Sequence, residues 1–241
     1  MWPFKRADKL GESGLLKNFT DWHSHILPGV DDGIREIQDS LDVLHRYEEL
    51  GVGRVWLTPH VMEDYPNTPA SLRERFAVLQ EAYEGPIELR LASENMLDSL
   101  FEERLGKNEF LPIGEEGNHL LVETSYMNPP YGMDDMIEGV FAAGYTPVLA
   151  HPERYRYMEE EDYLKWKERG LLFQTNLMSL VGGYGEQARK KGEWLLKEGM
   201  IDLCGSDLHR LSFFEHCLGQ SPKKTEALGR LKEVAANPRI H

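Results

Sequence analysis

Seven short apolar or β-rich runs recur along the chain, near residues 18–22, 54–58, 87–92, 119–123, 146–150, 171–175 and 201–204. Helix-like patterns fall between and after them, at 36–50, 70–84, 96–105, 133–143, 160–169, 185–198 and 222–236. In the first of these, Leu41, Leu44 and Leu50 are spaced for one helical face. Gly51, Gly144, Gly170 and Gly199 each stand just past a helical pattern and just before a strand run, where a left-handed C-cap is needed. Strands alternating with helices, without a linker, predict an α/β fold with a parallel sheet closed into a barrel, a single domain over residues 18–241. An open doubly wound sheet is the competing architecture. No glycine-rich phosphate loop follows any strand, which disfavours a nucleotide-binding version of it. Residues 1–17 lie outside the repeat as an N-terminal extension, with Trp2, Phe4 and Leu10 available to pack on the barrel or a partner.

Composition narrows the class. The 241 residues are 41% hydrophobic, enough for a sizeable core. The formal net charge of −14 argues against a sequence-independent grip on nucleic acid, which needs Lys and Arg on phosphates. Two cysteines, Cys204 and Cys217, are too few for a disulfide scaffold or a thiolate-rich zinc site and fit a reducing compartment. The basic N-terminus carries no apolar segment of signal-peptide type, and no run is long enough to span a bilayer. The expectation is a cytoplasmic protein without membrane insertion.

Chemistry concentrates where the strands end. Asp21-Trp22-His23-Ser24-His25 places two imidazoles two residues apart, on one side of a strand, as a two-point grip on a metal ion. Asp31-Asp32-Gly33 follows in a Pro/Gly loop able to fold its acids back toward that pair. Later strands end at Thr58-Pro59-His60, Ser93-Glu94, Glu123-Thr124, His151-Pro152-Glu153-Arg154 and Ser206-Asp207-Leu208-His209. Only the sixth departs, with Gln174, Thr175 and Asn176. A single strand-end His or Glu is ordinarily a cap or a hydrogen-bonded structural residue. Caps favour Ser, Thr, Asp and Asn over His, however, and so many converging acids and imidazoles need cations between them. Imidazole and carboxylate without thiolate suit Zn, Mn, Fe or Co bound for chemistry, and the donors outnumber what one ion can use, so two or three divalent ions are expected.

The stretch from Asp21 to Gly33, together with Thr58-Pro59-His60, Glu94, Glu123, His151-Pro152-Glu153-Arg154-Tyr155 and Ser206-Asp207-Leu208-His209, resembles the PHP (polymerase and histidinol phosphatase) superfamily. Within it, H-S-H-x-L-P-G-x-D-D-G is similar to the bacterial capsule and exopolysaccharide protein-tyrosine phosphatases. The resemblance implies a distorted (β/α)7 TIM-like barrel and a trinuclear metal centre. It assigns His23, His25, Glu94 and Asp207 to one ion, Glu94, Glu123 and His151 to a second, and Asp32, His60 and His209 to a third. It puts Arg154 on the phosphate, and it implies a phosphotyrosine protein, a tyrosine kinase of capsule or exopolysaccharide synthesis, as substrate. Capsule members often carry another Arg beyond the last His; here Leu211, Ser212, Phe213 and Phe214 follow, and only Arg210 is near.

The mechanism so implied is in-line attack on phosphorus by a hydroxide bridging two metal ions, with Arg154 forked onto phosphate oxygens. Asp207 and His209 are candidate donors of a proton to the leaving group, while Tyr126, Tyr131, Tyr155 and Phe213 are candidates to flank a phenyl ring. Cys204 to Arg210 also has the C-x5-R spacing of thiolate-dependent phosphatases. Asp207 within such a loop would repel a phosphate dianion, so Cys204 reads as a strand-closing apolar residue. The alternatives are histidinol phosphate or another small phosphomonoester as substrate, a metal-dependent nuclease, which the acidic balance disfavours, or a catalytically weak regulator binding a kinase tail.

Overall fold

The computed structural model describes residues 8–240. The chain runs β1 (Thr20–Ser24), α1 (Ile37–Leu50), β2 (Arg54–Leu57), β3 (His60–Val61), α2 (Pro69–Ala82), β4 (Glu88–Leu91), β5 (Glu94–Met96), α3 (Phe101–Lys107), β6 (His119–Glu123) and α4 (Met133–Ala142). It continues through β7 (Thr146–Ala150), α5 (Glu160–Glu168), β8 (Leu172–Asn176), α6 (Gly185–Lys197), β9 (Leu203–Gly205), α7 (Leu211–Leu218) and α8 (Thr225–Ala236). These strands pair with one another in parallel, in the orders β1-β2-β4 and β3-β5-β6-β7-β8-β9.

Two of the seven predicted runs, 54–58 and 87–92, form β2 and β4 and are each followed, after a break, by a short further strand beyond the predicted bounds, which makes two sheets of one series. Pro59 has no N–H to give the ladder between β2 and β3. Between β4 and β5, the Ser93 N–H turns away to the Leu111 carbonyl at 3.0 Å. β2 with β3 and β4 with β5 therefore act as two kinked strands, and seven parallel runs follow one another in chain order. The last returns to the first: Asp207 N–H donates to the His23 carbonyl at 2.7 Å and His25 N–H to the Leu208 carbonyl at 3.0 Å. That junction is a single bridge at Ser24–Leu208, not a full ladder. Gly205 permits the approach, since a Cβ there would sit 2.6 Å from that of His23.

The four glycines read as helix stops have φ of 83°, 88°, 90° and 68° at Gly51, Gly144, Gly170 and Gly199. Two helix expectations need correction. The pattern at 96–105 is a helix only over Phe101–Lys107, because Asn95 and Met96 pair with Val122 and Glu123 as β5. Helix α7 was not expected; its eight residues carry Ser212, Glu215 and His216 on one side but span barely two turns, too few to establish a period, and it buries Phe214, Cys217 and Leu218 on the other.

Two apolar clusters divide the core. The larger lies between strands and helices, and Leu10, Leu15 and Leu16 of the N-terminal segment belong to it. Trp2 and Phe4 lie outside the described residues. The smaller cluster holds Trp22, Trp56, Ala92, Leu121, Val148, Ala150 and Leu203, with Trp22 and Trp56 stacked at 5.9 Å. Side chains two apart on a strand share a face. Ala92 and Glu94, Leu121 and Glu123, and Leu203, Gly205 and Asp207 thus line up in rows, apolar first and acidic at the strand's carboxyl end. No described helix is long and apolar enough to cross a membrane.

Candidate metal centre

Every sequence-predicted ligand position lies at one rim, at the carboxyl ends of the strands. His23 Nε2 and His25 Nε2 are 3.1 Å apart and each is 3.2 Å from Glu94 Oε2. Asp207 Oδ1 approaches the same nitrogens at 3.6 and 3.4 Å. His60 Nδ1 lies 3.0 Å from Glu94 Oε2 and 2.9 Å from Glu123 Oε1, and His151 Nε2 is 3.1 Å from Glu94 Oε1. Asp32 Oδ1 sits 3.4 Å from His60 Nε2 and 3.3 Å from His209 Nε2.

Four overlapping groups can each surround a metal ion: His25, Asp32, His60 and His209; His23, His25 and Asp207; His23, Glu94 and His151; and His60, Glu94 and Glu123. His25 thereby joins the Asp32 group, and Glu123 stands with His60 and Glu94. His151 Nε2 is a longer 3.7 Å from Glu123 Oε2.

The donor set fits cations. His23 and His25 point ring nitrogens at each other, and two neutral imidazoles can share only one proton there. Glu94 Oε2, Glu123 Oε1 and His60 Nδ1 are buried with no hydrogen-bond partner among the described residues, despite their short separations. Buried charged oxygens in that condition are costly unless a cation compensates them. Protonation shows the same demand. Burial and the neighbouring His60 oppose a charge on His25, yet Asp31 and Glu94 push it up to about 10. Burial likewise opposes His60, but Glu94 and Glu123 raise it. Against burial, His23 and His60 hold Glu94 well below the usual carboxylate range, and His23 and His209 do so for Asp207. Hydrogen bonds from His209 and His60 lower Asp32.

Several residues that aim the ligands had not been singled out. Gln174 Oε1 is 2.8 Å from His23 Nδ1, and Asp31 Oδ2 is 2.8 Å from His25 Nδ1. Each contact turns the opposite nitrogen, Nε2, toward the centre. Asn176 Nδ2 donates to Asp207 Oδ2 at 2.7 Å. The sixth predicted strand, the one without acids or imidazoles, thus supplies outer hydrogen bonds. Asp21 accepts from the Ser206 N–H at 2.7 Å and from Tyr47, tying β1 to the segment after β9. Asp31 was visible in the Asp-Asp-Gly motif; Gln174 and Asn176 were visible only as the exception. His151 and Asp207 carry left-handed backbones, φ 35° and 52°, conformations that cost energy for non-glycine residues and concentrate at functional sites. Gly33 lets the acidic loop touch β1, since a Cβ there would lie 2.3 Å from the His25 carbonyl oxygen.

Arg154 stands beside this cluster. Its guanidinium is sandwiched between the rings of Tyr126 and Tyr184, 4.2 Å from each centroid, and Nη1 donates to Asp207 Oδ2 at 2.6 Å. Tyr184, whose place in a glycine-rich turn carries no sequence signal, meets Phe213 edge-on at 5.7 Å. A cavity of about 400 Å³ opens here, lined by Asp32, His60, Arg154, His209, Arg210 and the aromatic rings. Tyr126 and Phe213 of the aromatic candidates line it; Tyr131 is fully exposed, and Tyr155 is buried in the core. Cys204 is also fully buried, and burial pushes its thiol up, the reverse of an activated nucleophile.

A parallel α/β fold with imidazoles and carboxylates gathered at the strand ends is the architecture of a metal-assisted hydrolase. The family model for capsular polysaccharide synthesis, CpsB/CapC, matches residues 19–226, and the chain belongs to that family. It is 28% identical over 197 residues to the tyrosine-protein phosphatase YwqE of Bacillus subtilis (strain 168), covering 79% of this chain and 77% of that one. It is 28% identical over 204 residues to the tyrosine-protein phosphatase CpsB of Streptococcus pneumoniae, covering 79% and 83%. A chain from the crystal structures of YwqE from B. subtilis and CpsB from S. pneumoniae, described as unique metal-dependent tyrosine phosphatases, superposes with a TM-score of 0.75 at 27% identity, covering 89% of this chain and 86% of that one.

Proposed function

We propose that this protein is a metal-dependent protein-tyrosine phosphatase acting on a phosphotyrosine protein, a bacterial tyrosine kinase of capsule or exopolysaccharide synthesis, in the cytoplasm. The relatives named as tyrosine-protein phosphatases support the activity. The observation that carries the reading is Arg154, immobilised by two aromatic faces beside a cluster of buried acids and imidazoles. His23, His25, Asp32, His60, Glu94, Glu123, His151, Asp207 and His209 would hold two or three divalent ions of the Mn, Zn, Fe or Co type. Bound there, such ions supply an activated water at neutral pH and neutralise phosphoryl oxygens.

The chain's own residues do the rest. Arg154 lies across the mouth with one edge on Asp207, leaving donors for phosphate oxygens; a planar fork suits two of them at once. Stacking by Tyr126 and Tyr184 fixes the plane of that fork before substrate arrives. His23 and His209 hold the Asp207 carboxyl below the usual carboxylate range against burial, which disfavours it as a proton donor. His209 lines the mouth, but a His209 that held an ion through Nε2 would keep its one N–H at Nδ1, 3.0 Å from the Asp207 carbonyl, and have no proton for the leaving group. A phenolate, conjugate acid pKa ~10, asks little proton assistance.

Removal of the metal tests the reading. Exhaustive chelation should abolish hydrolysis of a phosphotyrosine peptide, and Mn or Zn should restore it, with two or three ions per chain by elemental analysis. Undiminished turnover by metal-free protein would refute it, as would faster hydrolysis of histidinol phosphate than of the peptide. Cys204→Ser should retain activity.

A further inference from the structure

The mouth cavity does not end at the metal centre. It shares Asp32, His209 and Arg210 with a cavity of about 480 Å³ and Tyr126, Arg154 and Tyr184 with one of about 330 Å³. Because the shared residues differ, the three cavities form a groove with the mouth in the middle. Its first end is lined by Arg35 and Arg210, its other end by Arg156.

These arginines are unusual in this chain. With 41 acids to 27 Lys and Arg, most arginines stand against a carboxylate, as Arg46 does with Glu215, Arg54 with Glu88 and Arg104 with Asp98. Arg35, Arg156 and Arg210 are exposed and reach no carboxylate among the described residues. Among the other described arginines only Arg73 shares that condition; Arg75, also without a carboxylate, is half-buried and engaged with the Pro28 carbonyl. The acids lining the groove do not pair with the arginines at its ends, although Asp32, Asp39 and Asp42 stand at the first end and make it less positive than the other. Glu186 is spent on Arg189 and Lys223, at 2.6 and 3.0 Å. Glu153 is buried against the Asn176 N–H and the Ser179 hydroxyl. Asp39 and Asp42 line the first cavity, but neither reaches Arg35 or Arg210 for an ion pair.

We propose that this groove is a docking surface for an acidic stretch of the phosphoprotein, with anionic side chains on both flanks of the reacting phosphotyrosine. The inference rests on the phosphatase reading. The partner is an extended peptide whose phosphate enters at Arg154 and whose flanks reach Arg35 on one side and Arg156 on the other. A carboxylate or a second phosphorylated residue supplies the same anionic chemistry. A single acid on one flank is read by one end of the groove only.

The test uses the metal-loaded full chain and phosphotyrosine peptides carrying alanine flanks, one Glu before or after the phosphotyrosine, or a second phosphotyrosine at those places. Wild type should prefer each anionic peptide over the alanine one, with the preference fading at high salt. Arg35→Ala should lower kcat/KM for anions on one flank by about threefold to fivefold, and Arg156→Ala for the opposite flank, the scale of a partly exposed ion pair. Neither should change turnover of p-nitrophenyl phosphate, which is too small to reach the ends, and Arg73→Ala should change nothing. The relative gain from Glu and from phosphotyrosine identifies which anion the ends prefer. Equal losses on both flanks, or no loss in either variant, would overturn the groove while leaving the phosphatase standing. Failure of wild type to hydrolyse even the alanine-flanked peptide would remove the phosphatase reading itself.

Discussion

The inside of this fold has two storeys built from the same strands. Below, Trp22, Trp56, Leu121, Val148 and Leu203 fill the space with apolar volume. Above, one to four residues further along those strands, acids and imidazoles converge within about hydrogen-bonding distance. The lower storey gains stability by leaving water. The upper one loses it by the same burial unless cations sit among its oxygens. Stability and function are thereby assigned to different turns of one strand, and a substitution should report which storey it struck.

The largest effect is expected above. Asp207→Asn keeps the shape but removes a carboxylate oxygen that faces His23 and His25, along with the charge that positions Arg154. Activity should fall by about 10³-fold or more, the scale on which preorganised charge acts in active sites, with little change in the circular dichroism spectrum. Comparable activity in that variant would detach Asp207 from the centre. The mirror experiment is Trp56→Ala below. It should cost about 3–5 kcal/mol of stability, read as a drop in denaturation midpoint, while metal stoichiometry at low temperature stays unchanged. Loss of metal with folding intact would erase the distinction between the storeys.

Much of the upper storey was legible in the primary order because its residues end strand runs: His60 after Val55-Trp56-Leu57, Glu123 after Leu120-Leu121-Val122, Asp207 after Leu203-Cys204-Gly205. The glycine stops were legible for a local reason, since left-handed backbone is cheap only for glycine. The break after β2 has a local cause in Pro59, but the break after β4 does not, because it depends on where the Ser93 N–H goes, a contact with residue 111. Helix α7 was hidden because eight residues give too few repeats of its amphipathic pattern to stand out. Gln174 and Tyr184 act only through partners distant in sequence, His23 and Arg154, so no spacing rule could single them out.

Gln174 sharpens the comparison at a finer scale. It belongs to the strand that reads as an exception, and its role is to hold His23 so that Nε2 faces inward. Gln174→Ala should weaken metal affinity or activity by about 10- to 100-fold, the usual effect of losing an outer hydrogen bond to a ligand. Excess metal should rescue part of the loss. A variant indistinguishable from wild type at limiting metal would show that the ring is oriented without it.

The smallest expected effect is in the response to pH, and it separates the storeys without any mutation. In metal-free protein, His25 is raised from 6.5 to about 10 by Asp31 and Glu94 against burial and His60. A raised basic group adds stability that is full below its unfolded value and disappears as pH climbs through the folded one. Asp207 and Glu94 are lowered from 3.8 and 4.5, so their contribution is present above those values and disappears as pH falls. Metal-free protein should therefore be most stable near pH 5–6 and lose stability above it, up to about pH 9 chiefly through the upper storey, since the lower one carries no titrating group. Metal and proton compete for the same nitrogens. Metal binding at pH 7 to 8 should release protons, measured by calorimetric titration of Mn in buffers of different ionisation enthalpy. Observed heats that are independent of buffer would mean the imidazoles are already neutral, and that the acids alone, not a proton-filled cluster, prepare the site for its ions.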